Sequence, residues 1–362
     1  MKTVRIRRKA LEDFCARVFT CYGVAEEDAR AAARVLVAAD VRGIGSHGVG
    51  RLWLYVNGLK EARMIPAAKP RTVQETDISL VVDADFSLGQ PVSYRTMERV
   101  ISKAEEKGAA FACVHNSNHF GIAGYYAMMA LPHDMIGLAM SNTAALGVPT
   151  FGSRVMFGTN PLAFAAPADR EGAFVLDMAT TAVTRGKVEL HRRLGKKLPT
   201  GWAVQANGRE AVEPEALLEA LLLRSGGGLL PLGGAGESHG GHKGYGLAVM
   251  VDILCSLLCG APFGPGLADS KNTAARMNHF FGAVKISLFR DPAGFRADMD
   301  RMLKDLRSTP PVAGTERVYF AGLKEREKEQ EAIRLGVPVL ESVYAELTAI
   351  AGQCGLEPPP LE

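Results

Sequence analysis

Apolar residues recur every three or four positions through three stretches of the first 65 residues. This predicts helices from about Lys9 to Cys21, from Glu26 to Val41, and through RGIGSHGVGRLWLYVNGLKEAR, with Ser46 as the N-cap of the third. IPAAKP breaks the period, and short extended runs follow at RTVQE and ISLVVDAD. SYRTMERVISKAEEKGA reads as a helix ending at Gly108, AAFACVH as a buried strand, and NSNHFGIAGYYAMMAL as a loop running into a helix. MIGLAMSN, PLAFAAPA and FVLDMA are apolar strands. A helix after Asp177 extends through VELHRRLG, and GAVKISLFR is a further long strand. A glycine-dense stretch, SGGGLLPLGGAGESHGGHKG, precedes the apolar helix YGLAVMVDILCSLLCGA. The tail returns to helical spacing in GFRADMDRMLKDL, LKEREKEQEAIRLG and VLESVYAELTAIAGQCG. Helical ends therefore flank a sheet-rich centre in a mixed α/β (α+β) fold. Residues 1–70 and 291–362 are expected to pack as one helical domain, with 71–290 forming a sheet-rich domain.

A chain of 362 residues can bury a large core, and 47% hydrophobic with 22% charged residues is ordinary for a soluble globular protein. A net charge of +3, with no dense Lys/Arg run carrying interleaved aromatics, argues against nucleic acid as partner. The basic MKTVRIRRK is followed by acid-containing helix rather than an apolar signal core. No apolar run is expected to span a membrane. The six cysteines lie mostly in apolar segments without CxxC pairs, so free thiols in a reducing cytoplasm are expected.

Candidate chemistry begins at Ser46-His47. On a helix His47, Arg51 and Tyr55 fall at i, i+4 and i+8, which stacks them on one face. An imidazole beside a guanidinium and a phenol can hold a carboxylate and protonate an adjacent carbonyl oxygen, although solvated decoration is equally compatible with the spacing. Asn118-His119-Phe120-Gly121 lies between a strand and a helix, where ligands collect or a histidine merely caps. Gly158-Thr159-Asn160-Pro161 offers hydroxyl and amide donors on what is otherwise a turn. Arg185-Gly186-Lys187 suits carboxylate recognition or simple exposure. Gly240-Gly241-His242-Lys243-Gly244 precedes a helix whose N-terminus either binds an anion or closes a flexible loop. His239-x-x-His242 lacks further ligands at zinc spacing, so no metal is expected. Neither G-x-G-x-x-G in an N-terminal strand–helix unit, nor a phosphate loop, nor G-x-S-x-G occurs, which disfavours a Rossmann domain and a serine hydrolase.

The ordered set RGIGSHGVGRLWLY, NSNHFGIAGYYA, SNTAALGVPTFGS, GTNPLAFAAPA, LDMATTAVTRGKVE, LLPLGG and GGHKGYGLAVMVDIL resembles the type-2 malate/L-lactate dehydrogenase family. That family also holds sulfolactate and ureidoglycolate dehydrogenases, a diketogulonate reductase and a cyclic-imine reductase. The resemblance covers nearly the whole chain, down to PPVAGTERVYFAG and GVPVLESVYAEL. It implies an NAD- or NADP-dependent oxidoreductase moving a hydride to and from C2 of a 2-hydroxy/2-oxo acid. Malate and oxaloacetate are the first expectation; lactate, sulfolactate, a sugar acid or a cyclic imine are alternatives, as is a non-catalytic binding protein on the same fold. It further implies a sheet-based, non-Rossmann cofactor domain, a helical domain made from both chain ends, and a homodimer.

By the same resemblance His47 is the proton donor, Ser46 its hydrogen-bonded neighbour, and His119 a second acid/base candidate. Arg51 binds the substrate carboxylate, and Thr159, Asn160, Arg185 and Gly186 match substrate-side positions. His119, Phe120, Gly121, Ile122, Ala123, Ser141, Asp177, Met178, Ala179, His242, Lys243 and Gly322 match cofactor-contacting segments. Three departures stand out. Lys187 occupies the place where the imine-reductase branch has an acid, Gly45 stands where many relatives carry a polar residue, and Ala321-Gly322-Leu323 replaces a frequent Pro-Gly-Glu.

Overall fold

The computed structural model describes residues 2–267 and 276–362. The chain opens with β1 (Thr3–Ile6), α1 (Arg8–Cys21) and α2 (Glu26–Val41); after an irregular turn and a 3₁₀ turn at Val49–Arg51 comes α3 (Leu52–Lys60). Then follow β2 (Arg71–Glu75), β3 (Ser79–Asp83), α4 (Gly89–Lys107), β4 (Ala109–Ser117), α5 (Ala123–Met128), β5 (Met135–Ser141), β6 (Leu162–Ala166) and β7 (Phe174–Met178). The next part holds α6 (Arg185–Arg193), β8 (Ala203–Val204), α7 (Pro214–Leu223), β9 (Gly228–Leu229), α8 (Gly241–Cys255) and β10 (Met277–Lys285). The chain closes with α9 (Pro292–Arg307), α10 (Leu323–Leu335), β11 (Val337–Leu340) and α11 (Glu341–Cys354).

The central sheet has seven strands in the order β2-β3-β4-β10-β5-β6-β7. Only β3 and β4 run parallel, joined through α4; every other neighbour pair is antiparallel. This mixed sheet is not the parallel, doubly wound arrangement of a Rossmann domain, in agreement with the missing glycine fingerprint. β10 is central and buried on both faces, which is why its Phe280–Val284 stretch reads as an apolar run rather than an alternation, with buried Asn278 and His279 ahead of it. Phe281 and Ala283 pack under α4 and α5, whereas Phe280 packs with Cys113, Val251 and Cys255 beneath α8. The strand begins five residues before the predicted GAVKISLFR and gives way to a 3₁₀ turn at Ile286, whose N–H donates to the Asp134 carbonyl.

A separate core unites α1, α2, α3 and α11 around Leu11, Phe19, Leu36, Leu52 and Leu347. β1 and β11 pair antiparallel from Thr3↔Leu340 to Ile6↔Val337 and tie the two chain ends together. Four-residue strands carry too little periodicity to be foreseen. Helix α9 departs from the expected grouping of 291–362 with the helical ends. Its Met299 and Leu303 pack with Ala168, Phe174 and Phe320 beside the β7 edge of the sheet. The stretch Gly241–Cys259 is long and apolar enough, by length and composition, to cross a membrane, contrary to the expectation; only 33% of it is buried. Its inner side, with Val251, Asp252 and Cys255, is nonetheless docked on the sheet.

Candidate active site

Three chain segments build the site, and each is held by a buried polar group. The first is the turn between α2 and α3. Asp40, in the last turn of α2, is buried and accepts the Val49 N–H at 2.6 Å through Oδ2. The Gly48 backbone approaches so closely that a Cβ there would collide with the Asp40 carboxylate. Burial pushes the Asp40 carboxyl up to about 7, against the opposing effect of the Val49 N–H.

This anchor overturns the expected helical face. The chain from Gly45 to Gly48 is a turn, so Ser46 caps no helix and His47 and Arg51 precede α3. Instead Ser46 Oγ lies 2.9 Å from His47 Nδ1, and the Ser46 carbonyl accepts from Arg51 Nε at 2.8 Å. That contact leaves both terminal nitrogens of Arg51 without a carboxylate partner among the described residues. Tyr55, on α3 and fully buried, reaches a different group: its hydroxyl lies 2.6 Å from Nδ1 of His119.

The second segment follows β4. The Asn118 amide is buried and donates to the Phe86 and Ser87 carbonyls at 3.0 and 2.9 Å, fixing the loop on the sheet. Gly121, at a φ of +87°, turns its N–H onto His119 Nδ1 at 3.3 Å. An N–H can only donate, so in this ligand-free arrangement Nδ1 accepts and the neutral ring carries its proton on Nε2, while the Tyr55 hydroxyl can also accept from a protonated Nδ1. The His47 and His119 rings stack with centroids 5.5 Å apart and planes 21° from parallel. Burial, followed by the Arg51 charge, lowers His47 to about 4. Burial, then His47, Arg51 and His279, hold His119 well below the ordinary histidine value.

The third segment is the pair of loops after β5 and before β6. Thr143 and Thr159 meet side by side, with the Thr159 N–H donating to Thr143 Oγ1 at 3.0 Å. Asn160 stands apart from its expected substrate-side role. Its amide turns away from the cavity and donates to the Ala248 carbonyl at 2.9 Å and to Asp252 at 3.0 Å. A φ of +36° at this fully buried residue is held by those bonds, and Asn160 Oδ1 accepts the Thr143 N–H at 3.3 Å.

Together these segments enclose a cavity of about 200 Å³. Ser46, His47, Arg51, His119, Phe120, Gly121, Ser141, Thr159, Arg185 and Gly186 all line it, and so does Thr143, which no motif singled out. Arg185 opens α6 at the exposed rim, paired with Glu189 at 3.0 Å. Gly186 faces Arg51, and a Cβ there would sit 3.8 Å from its Nη2.

A second cavity of about 290 Å³ lies along the same chain segment, lined by Ile122, Gly124, Asp177, Gly322, Arg42 and Lys324 among others. Asp177 accepts the Gly124 N–H at 2.7 Å, and its setting raises the carboxyl to about 6, burial being the main cause. Gly322, at a φ of +92°, packs so closely on Val175 that any side chain would intrude.

Five predicted cofactor contacts fall outside both cavities. Ala123 is buried in the core beneath α5, and Met178 and Ala179 line neither space. His242 and Lys243 sit in the exposed first turn of α8, where Lys243 borders a separate surface cavity with Glu237 and His239. Among the described residues no group of three or more His, Cys, Asp or Glu side chains is gathered as a metal site.

Residues 6–348 match the family model described as malate/L-lactate dehydrogenase. The chain is 40% identical to a malate dehydrogenase of Pyrococcus horikoshii, over 98% of this chain and 96% of that one. It is 34% identical to an L-sulfolactate dehydrogenase of Methanocaldococcus jannaschii, over 92% and 93%. The crystal structure of malate dehydrogenase from Entamoeba histolytica superimposes with a TM-score of 0.95 at 32% identity, covering 99% of this chain and all of that one.

Proposed function

We propose, from the premise that this chain belongs to the malate/L-lactate dehydrogenase family and is a nicotinamide-dependent dehydrogenase of 2-hydroxy acids, that its substrate pair is malate and oxaloacetate. The observation that carries this reading is the pair of guanidinium groups, Arg51 and Arg185, on one small cavity. A four-carbon dicarboxylic acid offers one carboxylate to each, whereas lactate would leave Arg185 unused. The relative at 40% identity, itself named a malate dehydrogenase, supports the same choice.

The residues present fit a nicotinamide dinucleotide. Phe120 and Gly121 border the first cavity and Ile122 and Gly124 the second, so one elongated ligand can run along this segment. A Cβ at Gly124 would come within 2.9 Å of Asp177 Oδ2, so glycine there keeps the carboxylate and the chain in contact. Asp177 is an acceptor suited to ribose hydroxyls, while Arg42 and Lys324 supply positive charge to a diphosphate. When bound, the cofactor takes a hydride from C2 on oxidation and returns it on reduction.

Everything else is done by the chain. Arg51, with neither Nη atom paired to a carboxylate among the described residues, holds the C1 carboxylate and so orients the C2 oxygen toward the imidazoles. His119 is the group we assign to the proton, with His47 stacked over it. On reduction the doubly protonated ring gives its Nε2 proton to the nascent alkoxide and keeps Nδ1–H on the Tyr55 hydroxyl; on oxidation that Nδ1–H form takes the hydroxyl proton back at Nε2. Tyr55 serves both charge states, because a phenol donates to a bare Nδ1 and accepts from a protonated one. An arriving substrate carboxylate offsets the Arg51 charge and raises the histidine pKa toward the working range.

A second copy of the chain is the proposed partner. Val249, Ile253, Leu257, Leu258 and Phe263 are exposed apolar side chains on and after α8 that a homodimer would cover. Light scattering gives the mass directly.

The activity test is a panel of oxaloacetate, pyruvate, sulfopyruvate and a cyclic imine, each with NADH and NADPH. Oxaloacetate is expected to lead. Arg185→Gln should lower kcat/KM for oxaloacetate by about tenfold or more while leaving pyruvate within about threefold, the loss of one charge-assisted contact. Absence of oxaloacetate turnover by the wild type overturns the malate assignment.

A further inference from the structure

We propose that His279 is a positioning residue for the cofactor side of the cavity, fixing the Ser141 hydroxyl and the Phe120 ring from inside the sheet. The inference rests on the dehydrogenase reading above, through Ser141 as a cofactor contact.

His279 lies on β10, the middle strand, with no solvent exposure. It stands directly opposite Ser141 in the β10–β5 pairing. Its ring bridges two hydroxyls, with Nδ1 2.9 Å from Ser141 Oγ and Nε2 2.9 Å from Ser117 Oγ. Phe120 lies flat on the same ring, with centroids 4.4 Å apart and planes within 6°. Ser141 and Phe120 both line the cavity that holds His119. One buried imidazole therefore touches two walls of the site without reaching the substrate space itself.

Packing does not call for this residue. Phe280, Phe281 and Ala283 continue the strand as an apolar element, and a buried imidazole needs a partner for each nitrogen. Both partners are present, and their geometry sets a direction. Ser141 Oγ is 3.0 Å from the Asn142 carbonyl, whereas Ser117 Oγ is 3.5 Å from that of Asn118. The Ser141 proton thus has a carbonyl to go to, and the Ser117 proton goes to Nε2. Nδ1–H then donates to Ser141 Oγ, which keeps a lone pair for a donor on the bound cofactor. Burial lowers the ring to about 3 against the opposing effect of the Asn118 backbone, so it stays neutral over the working pH range. A hydroxyl already locked in rotation loses less freedom when it binds.

The chemistry of the imidazole provides its own control. Asparagine places an amide near the Nδ1 position and glutamine near Nε2, so His279→Asn retains a donor to Ser141 while His279→Gln retains only the Ser117 contact. NADH binding is read by titrating the fluorescence of the bound dinucleotide, with thermal midpoints measured alongside. His279→Gln and Ser141→Ala are each expected to weaken NADH binding about five- to tenfold, the worth of one hydrogen bond, and their double variant no further. His279→Asn should stay within about threefold of wild type on the same scale, with KM for oxaloacetate at saturating NADH unchanged. Equal weakening by the two His279 variants overturns the proposal, as does additivity with Ser141→Ala, or a lowered thermal midpoint with NADH binding intact. Should His279→Gln not fold, unchanged NADH binding in Ser141→Ala overturns it alone. A wild type that binds no NADH removes the dehydrogenase reading itself, whereas a binding-competent wild type with indifferent variants removes only this inference.

Discussion

Replacing His47 by glutamine separates the two stacked imidazoles. Their centroids are 5.5 Å apart, and two unit charges at that distance repel by about 3 kcal/mol at an effective dielectric constant of ~20. At ~1.4 kcal/mol per pKa unit this is a ceiling of roughly two units, so the pair holds one proton at most near neutrality. Removing the neighbour should therefore raise the apparent pKa of His119 by between one and two units, roughly, from its depressed starting value. Histidine ring nitrogens followed by long-range proton–nitrogen NMR give the pKa directly. The pH dependence of kcat/KM for malate oxidation gives its consequence, because oxidation needs a neutral base. The acid limb of that profile should move to higher pH in His47→Gln, while turnover at pH 8 falls by no more than about tenfold. His119→Gln should instead lose about a hundredfold or more at every pH. If His47→Gln abolishes turnover and His119→Gln preserves it, the proton belongs to His47. If the His119 pKa does not move, the coupling argued from the stacking distance is wrong.

Tyr55→Phe removes the hydroxyl at His119 Nδ1 but keeps the buried ring, so folding should be retained. We expect kcat to fall about tenfold with KM little changed, as measured by steady-state oxaloacetate reduction. Asp40→Asn tests the turn anchor through stability. Its folded pKa of about 7 lies above the ~3.9 of an unfolded chain, so the folded state binds the proton more tightly. The stability this group contributes is complete below pH ~4 and is lost as pH rises through 7. Between pH 5.5 and 8.5 that loss is about 1.5 pH units of titration, or roughly 2 kcal/mol. Asparagine keeps an acceptor for the Val49 N–H and has no charge to bury. Urea unfolding of Asp40→Asn should therefore show a stability difference between these two pH values smaller than wild type by about that amount. An unchanged difference would place the wild-type pH dependence in another group.

Periodicity made the long elements legible, because α1, α4 and α11 each bury one stripe, α2 is apolar and buried on almost every side, and the inner strands are mostly apolar. What it missed has local physical causes. β1 and β11 are too short to show a period and exist because they pair with each other across the whole chain. The tail reads as uniform helix, but nothing in its spacing says that α9 meets Phe174 while α11 meets Leu52. At the site, the motif Ser46-His47-Arg51-Tyr55 marked the right residues with the wrong geometry, since the helical face requires a helix that Asp40 interrupts. Asn160 lies in a recognisable turn, yet its amide is directed by Asp252, a residue 92 positions later. His279 lies ahead of the predicted strand GAVKISLFR, and no motif marked it. Its partners Ser117 and Ser141 come from strands 162 and 138 positions away in sequence.

These errors share a pattern that bears on how the site works. Asp40, Asn118 and the Asn160–Asp252 pair are buried or largely buried, and each binds backbone groups of a turn rather than reaching into the cavity. Each turn also contains a residue its geometry makes necessary: Gly48 against the Asp40 carboxylate, Gly121 at positive φ against Val35, and Asn160 itself at positive φ. Turns tied in this way resist displacement because losing one anchor strands a buried donor or acceptor. The groups that would touch ligand, namely His47, Arg51, His119, Thr159 and Ser141, all sit on those turns or at the strand end beside them. Their relative positions are thus set by polar contacts below the cavity, while the cavity's charge, from Arg51 and Arg185, is left unneutralised or paired only at an exposed rim. Substitutions at the rim should consequently change which acid is accepted. Substitutions at the anchors should change the rate for every acid alike, because they move the imidazole and the carboxylate clamp together.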